Sequence, residues 1–304
     1  MANDFFDENI KFIVIMVSYN AGEGMLKTFE SIKNQTYKNV ELIIKDGGST
    51  DGSLELLKEK YKSESLLERA IIISEPDSGI YDAMNDAVDA IPDKALTSDR
   101  ECSFVYFLNC GDVFADEEVL EKVAKAISEK FEEDRNNKKA SKDERTRLTC
   151  FYGDIIDKKT GQHVSSPPVI DDFACYRNVP CHQAVFYDVA LMKNERFDTK
   201  WKVRADYEHF LRCRYIENAE TIYIDTTIAI YEGGGFSETA ENKKVSEAER
   251  KQIIVMYLSE DQIFKYDVIR WVTLAPLRTK LADNPATAEA YNKFRTWLYS
   301  RKKR

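Results

Sequence analysis

Between residues 11 and 152 five short apolar runs alternate with stretches of helical period, and this alternation leaves few folds open. The runs are FIVIMV (12–17), VELIIK (40–45), AIII (70–73), FVYFL (104–108) and TCFYG (149–153). Short and apolar almost throughout, they read as parallel strands buried on both faces. Between them Met25, Phe29 and Ile32 recur at i, i+4, i+7, while Ile80, Ala83, Met84, Ala87, Val88 and Ile91 form a fuller helical stripe. A doubly wound α/β sheet follows, and in such sheets ligands bind beyond the carboxyl ends of the strands, near the reversal in strand order.

The residues just past those strands are Ser18-Tyr19-Asn20, the turn DGGSTDG (46–52), SEPDSG (74–79) and Asn109-Cys110-Gly111-Asp112. All are small, polar or acidic. Asp46 ends a strand and opens a Gly-rich turn with Asp51 or Ser53 placed to cap the next helix, and its carboxylate can accept hydrogen bonds from a nucleobase edge. In FLNCGD (107–112) an apolar strand runs out into Asn109 and Asp112. A hard divalent cation takes oxygen ligands, and one or two carboxylates plus substrate phosphates complete its shell. Either turn alone could be an ordinary strand-to-helix connection.

Bulk properties narrow the class. With 304 residues and 43% hydrophobic, the chain can bury a sizeable core, and a net charge of −9 argues against nucleic acid as partner. The charge is uneven, since residues 261–304 carry +6 and the remainder −15. Six cysteines lie scattered without a C-x-x-C pair, as expected of reduced thiols in a cytoplasmic protein. The three histidines lack zinc-site spacing, which removes a metallohydrolase. No apolar run near the start is long enough to cross a bilayer.

The ordered series VSYNAGEGMLKTFESIKNQTYKNVELIIKDGGSTDGS, SEPDSGIYDAMNDAV and FLNCGD closely resembles the family 2 glycosyltransferases, over roughly residues 11–236. The block from Glu75 to Asn85 is similar to a form found in bacterial capsular and exopolysaccharide transferases of the colanic-acid type. The resemblance implies the GT-A fold, a Rossmann-like, mostly parallel central sheet flanked by helices, here with a helical C-terminal extension. It implies a catalytic domain over 1–240, with a donor half at about 11–115 and an acceptor half at about 150–240, followed by a basic helical extension over 241–304.

On that resemblance the nucleotide-sugar site comprises Ser18, Tyr19, Asn20, Asp46, Glu75, Gly79, Asn85, Asn109 and Asp112. Asp46 would meet the base, Tyr19 the nucleoside, and Asp112 a Mn2+ or Mg2+ ion. Asn109 and Asp112 stand where two or three acids often stand. In RADYEHFLR (204–212) Asp206 matches the general base of the family's acidic motif, with Ala205 where a Glu is frequent. His182 and Gln183, in VPCHQAVFY, and secondarily Glu208, are assigned to an acceptor or sugar pocket. A helix-capping role is the bland alternative for Asp206, and for Asp82 a helix N-terminus with an acidic first turn is preferred. The glycines 233–235 could hinge a loop over the diphosphate or simply connect to the tail.

In 262–281 and 290–304 aromatic and aliphatic residues alternate with Lys and Arg at roughly helical spacing. Such helices either lie on an anionic membrane surface, bringing the enzyme to a lipid-linked saccharide at the inner face of the cytoplasmic membrane, or pack on the catalytic domain or in a homodimer. The expected activity is an inverting, metal-dependent transfer from a nucleotide-diphosphate donor, a UDP-sugar, to a saccharide in surface polysaccharide synthesis. The competing expectation is a catalytically silent GT-A-like protein that binds nucleotide or glycan. A nucleotidyltransferase is disfavoured, because SYNAGEG replaces the Gly-rich, Arg-containing loop such enzymes carry after the first strand.

Overall fold

The computed structural model describes residues 10–93, 102–136, 148–233 and 239–273. In chain order the elements are β1 (Ile10–Ser18), α1 (Glu23–Lys33), β2 (Val40–Asp46), α2 (Ser53–Lys60), α3 (Ser65–Glu68), β3 (Ile71–Ser74), α4 (Ile80–Asp89), β4 (Cys102–Asn109), β5 (Val113–Phe114) and α5 (Val119–Asn136). There follow β6 (Thr149–Asp157), β7 (Gln162–Val164), α6 (Asp172–Arg177), a 3-10 turn (His182–Ala184), β8 (Val185–Asp188), α7 (Val189–Asn194), α8 (Ala205–Tyr215), β9 (Glu220–Tyr231), α9 (Ala240–Tyr257) and α10 (Glu260–Val272).

The strands form one sheet in the order β3-β2-β1-β4-β8-β6-β9-β5, with β7 on the flank of β6. The first four are parallel, as their uniform apolar character requires, and the order reverses between β1 and β4. Beyond β4 the sheet is mixed. The four-residue strand β8 lies antiparallel between β4 and β6, so the fifth strand read from sequence does not pair with the fourth. Residues Glu220–Tyr231 form one twelve-residue strand, β9, parallel to β6 with a break in register around Gly153.

The stripes end where the pattern places them: Met25, Phe29 and Ile32 are buried under α1, and Ala83, Met84, Ala87 and Val88 under α4. Aromatic rings fill the layer behind the site, with Tyr106 stacked between Phe114 and Phe186 at centroid separations of 5.1 and 4.5 Å. Neither Asp51 nor Ser53 caps α2. The cap is Gly52, in the left-handed region, while Asp51 Oδ1 accepts from the Ser53 N–H and its Oδ2 accepts from the Gly22 N–H.

Gly153 sits where β6 and β9 slip register, and a Cβ there would lie 2.4 Å from the Thr226 carbonyl oxygen and 2.8 Å from Ile228 Cγ1. Backbone cannot yield as a side-chain tip can. Gly153→Ala should therefore destabilise the fold by about 1–3 kcal/mol or more, read as a lowered midpoint in urea with little change in slope.

The chain divides into two compact units, residues 1–253 and 254–304. The first unit extends past the boundary at 240 expected from sequence and takes in most of α9, whose Ile253 is fully buried. The second, described as far as residue 273, contains α10. That helix starts in a capping box, with Ser259 Oγ accepting from the Gln262 N–H and Gln262 Oε1 accepting from the Ser259 N–H. Residues 274–281 and 290–304 of the basic tail, and Gly234 and Gly235, lie outside the described residues.

Candidate active site

At the reversal between β1 and β4 a cleft of about 1200 Å3 opens, lined by Tyr19, Tyr81, Asn109, Asp112, His182, Gln183, Arg204 and Asp206 among others. It thus gathers six of the residues singled out in the sequence: Tyr19, Asn109, Asp112, His182, Gln183 and Asp206. Each arrives for a local reason.

The turn after β4 is held from below by Thr28 on α1, which is fully buried. Its Oγ1 donates to the Asp112 carbonyl at 2.7 Å and accepts from the Gly111 N–H at 2.9 Å. Gly111 has φ 107°, a conformation side chains rarely adopt, so an acid at this position of the turn would be strained. The turn then presents Asp112, only 4% exposed. Its Oδ1 accepts from the Glu232 N–H at 2.9 Å and its Oδ2 from Gln183 Nε2 at 2.8 Å. Burial raises Asp112 above the usual carboxylate range, and these donors and His182 only partly offset it.

Gln183 belongs to the 3-10 turn between Pro180 and β8. The Tyr106 hydroxyl, rising from the aromatic layer, donates to its backbone carbonyl at 2.7 Å, and the Cys181 thiol donates to its Oε1, which turns the amide nitrogen toward Asp112. Cys110 and Cys181, both in the cleft wall, are pushed up to about 12 by burial and remain protonated thiols. None of the six cysteines is joined in a disulfide.

Asp206 lies in the first turn of α8, with Arg204 rather than itself at the cap. Its Oδ1 accepts from the Tyr81 hydroxyl at 3.0 Å and from the Tyr207 N–H at 2.8 Å, and its Oδ2 is 3.4 Å from His182 Nδ1. Burial would raise its pKa, but His182, Arg204 and Tyr81 outweigh that and hold it below the usual carboxylate range. The group is therefore an anion at neutral pH. The far nitrogen of the same imidazole, Nε2, meets Asn109 Nδ2 at 3.0 Å, so one ring joins the turn after β4 to the start of α8.

Other sequence candidates fall outside this cleft lining. Ser18, Asn20 and Asp46 belong to a loop cluster beside it, where Asn20 N–H donates to Ser49 Oγ and Thr50 N–H to Asn20 Oδ1. Asp46 is 1% exposed, and its carboxylate accepts from Ser49 and Ser74, so contact with a base requires it to exchange those partners. Glu75 is exposed, and its backbone carbonyl serves Lys45 Nζ at 2.7 Å. Gly79, at φ 142°, forms the cap of α4. Asn85 is a strut: its amide gives and takes one hydrogen bond with the Phe197 backbone, each 2.9 Å. Glu208 is fully buried, two residues past Asp206 and so on another side of α8, with Arg212 at 3.4 Å. Asp82 stays local and accepts from the Ser78 N–H and hydroxyl, as its helix-start reading expects.

Two contributors escaped the sequence reading. Tyr81 shares its hydroxyl between Asp206 and the Val203 carbonyl. Glu249, on α9, accepts from the backbone N–H groups of Lys202, Val203 and Arg204 at 2.8–3.0 Å, fixing the segment that leads into Asp206. Tyr81 could have been suspected from its place among the motif residues. Nothing in the pattern around Glu249 marks it.

The chemistry of the donor set bears on the metal. Among the described residues no three of His, Cys, Asp and Glu gather as a ready cage. In the turn after β4 Asp112 offers a carboxylate, raised by burial in the way a nearby cation would reverse, and each of its oxygens keeps a lone pair beyond its one hydrogen bond. That fits a cation held jointly with a diphosphate, which needs only one or two protein carboxylates, and does not fit a resident ion.

Residues 13–158 match the family described as "Glycosyl transferase family 2". A "PGL/p-HBAD biosynthesis glycosyltransferase" of Mycobacterium bovis is 29% identical over 235 residues, covering 77% of this chain and 81% of the relative. An uncharacterized glycosyltransferase of Mycobacterium tuberculosis is 27% identical, covering 69% and 71%. Among solved structures, S. aureus TarS 1–349 in complex with UDP-GlcNAc aligns with TM-score 0.52 at 17% identity, covering 81% of this chain and 71% of that one. The mannosyltransferase PcManGT of Pyrobaculum calidifontis, in complex with GDP-Man and Mn2+, aligns with TM-score 0.51 at 12% identity, covering 92% and 84%. Residues 13–158 carry a family 2 glycosyltransferase domain, and the chain has the GT-A fold.

Proposed function

We propose that this glycosyltransferase moves a sugar from a nucleoside-diphosphate donor, a UDP-sugar, to a hydroxyl of a saccharide acceptor with inversion, Asp206 serving as general base. The observation that carries the reading is the single cleft in which an ionised Asp206 faces the turn bearing Asp112. The family's relatives support the donor class, since TarS was solved with UDP-GlcNAc and PcManGT with GDP-Man and Mn2+.

In this mechanism Tyr19 lies along the nucleoside, Asp46 exchanges its serine partners for the base, and Asp112 holds the cation. When bound, Mn2+ or Mg2+ would offset the charge on the departing diphosphate. Arg204 adds fixed positive charge to the cleft wall. Asp206 takes the acceptor proton as the hydroxyl attacks, and one base suffices because no covalent intermediate forms. His182 and Tyr81 hold that carboxylate in place, while Gln183 and Tyr106 hold Asp112.

The acceptor is read as a lipid-linked saccharide reached from the cytoplasmic face of a membrane, in surface polysaccharide synthesis. Among the described residues no helix is long and apolar enough to cross a membrane. α10 exposes Phe264, Val268, Trp271 and Val272, a spacing that places them along one side of the helix, and the sequence beyond is strongly basic.

The decisive experiment is mass spectrometry of products from a panel of sugar nucleotides with lipid-linked and free saccharide acceptors. A mass gain of one sugar on an acceptor supports the reading, whereas no transfer from any nucleotide sugar defeats it. A second measurement tests the shared cation. Uridine diphosphate with Mg2+ at a hundredfold excess over its Kd should stabilise the protein by about 2.7 kcal/mol, seen as a rise in Tm, and EDTA should remove most of that rise. The metal alone should shift Tm little.

A further inference from the structure

His182 lies between two groups of opposite hydrogen-bonding character. On one side is the Asp206 carboxylate, which only accepts, 3.4 Å from Nδ1. On the other is the Asn109 amide nitrogen, which only donates, 3.0 Å from Nε2. A neutral imidazole has one N–H and one lone pair, so the carboxylate requires the proton on Nδ1 and the amide requires the lone pair on Nε2.

We infer that Asn109 is a positioning residue: by donating to Nε2 of His182 it holds the ring as the neutral Nδ1–H tautomer, which in turn orients the Asp206 carboxylate. This rests on Asp206 being the base. It also gives a reason for the amide at 109 where an acid is common. An aspartate there would set a second carboxylate against the ring, and an imidazole between two carboxylates gathers a second proton and a positive charge. That charge would ion-pair Asp206 and weaken it as a proton acceptor.

Besides Asp206, the acidic or ionisable groups near this chain of contacts are Asp112 and Glu232 on the donor side, the protonated Cys181 thiol, and Tyr81 and Arg204 beside the base. Arg204 already provides a cation near Asp206, held by Ser246 and Asn178. The contact of Nε2 is with Asn109 Nδ2, while the Asp112 oxygens accept from Gln183 and the Glu232 N–H.

The chain contains only three histidines, so the ring is accessible to 15N NMR on histidine-labelled full-length protein, with His182→Asn used to assign its signals. The expected result is a neutral ring with the proton on Nδ1 and a bare Nε2 at pH 7.5. Asn109→Asp should convert the same ring to the doubly protonated form and lower kcat about tenfold.

Two substitutions of His182 separate positioning from bulk. Asparagine places its amide nitrogen where Nδ1 stood and should keep kcat within about tenfold of the parent, whereas glutamine, which mimics Nε2, should lose about a hundredfold. A proton on Nε2 in the unaltered protein, or equal activity in the two variants, would overturn the inference. The tautomer is read without turnover, so it stands apart from the identity of the base: if Asp206→Asn keeps full activity the proposed mechanism fails, whatever the NMR result.

Discussion

Replacing Asp206 with asparagine should leave a folded protein that binds nucleotide and transfers sugar about a hundred to ten thousand times more slowly. The substitution keeps shape and one acceptor oxygen, so the Tyr81 and Tyr207 contacts can persist, and the capping position belongs to Arg204. What disappears is the proton acceptor. Although burial opposes it, hydrogen bonding by His182 and Tyr81 and the charge of Arg204 hold Asp206 below the usual carboxylate range, so it is charged well into mild acid. The sign follows for stability as well: the depressed value contributes stability above the ordinary aspartate pKa and loses it as pH falls through the depressed one. The uridine diphosphate and Mg2+ shift in Tm should survive in the variant, since the loop cluster of Ser18, Asn20 and Asp46 is untouched. Transfer at the parental rate in this variant would end the case for Asp206 as base.

Glu249→Ala should be costly in both stability and rate. Three backbone N–H groups, from Lys202, Val203 and Arg204, lose their acceptor in a segment where Val203 is 6% exposed. At about 1 kcal/mol or more each, the loss is roughly 3–5 kcal/mol. At about 2–4 °C per kcal/mol, Tm should fall by about 6–20 °C. Asp206 is two residues beyond the last of these donors, so kcat should drop even at temperatures where the variant is folded, with KM for the donor little changed. Glu249→Gln, which retains one acceptor oxygen, should fall between. A Tm within a degree of the parent would show that water or a rearranged side chain replaces the carboxylate.

The first four strands were legible because each is a short apolar run marked by polar residues at its carboxyl end, although β3 is only half-buried. The same logic brought Tyr19, Asn109 and Asp112 to one cleft, and the family resemblance added Asp206. β8 was not legible, since four residues of VFYD carry no direction and antiparallel insertion leaves no periodic trace. Asn85 shows the opposite limit. Its place in a motif suggested the donor, but its amide is used on the Phe197 backbone, 112 residues away, a distance no local pattern records. Glu249 escaped for a related reason, because its partners are main-chain N–H groups, which every sequence has and none displays. The boundary placed at 240 followed the extent of the family resemblance, whereas the first compact unit runs past Glu249 to residue 253.

Thr28 shapes the aspartate turn from the side opposite the cleft, through one accepted and one donated hydrogen bond. The turn is therefore wound once, when α1 packs, and under the proposed function each arriving donor would meet it already formed. Its loss of conformational entropy belongs to folding and recurs in no catalytic cycle, which leaves the binding free energy of the diphosphate available for the reacting centre.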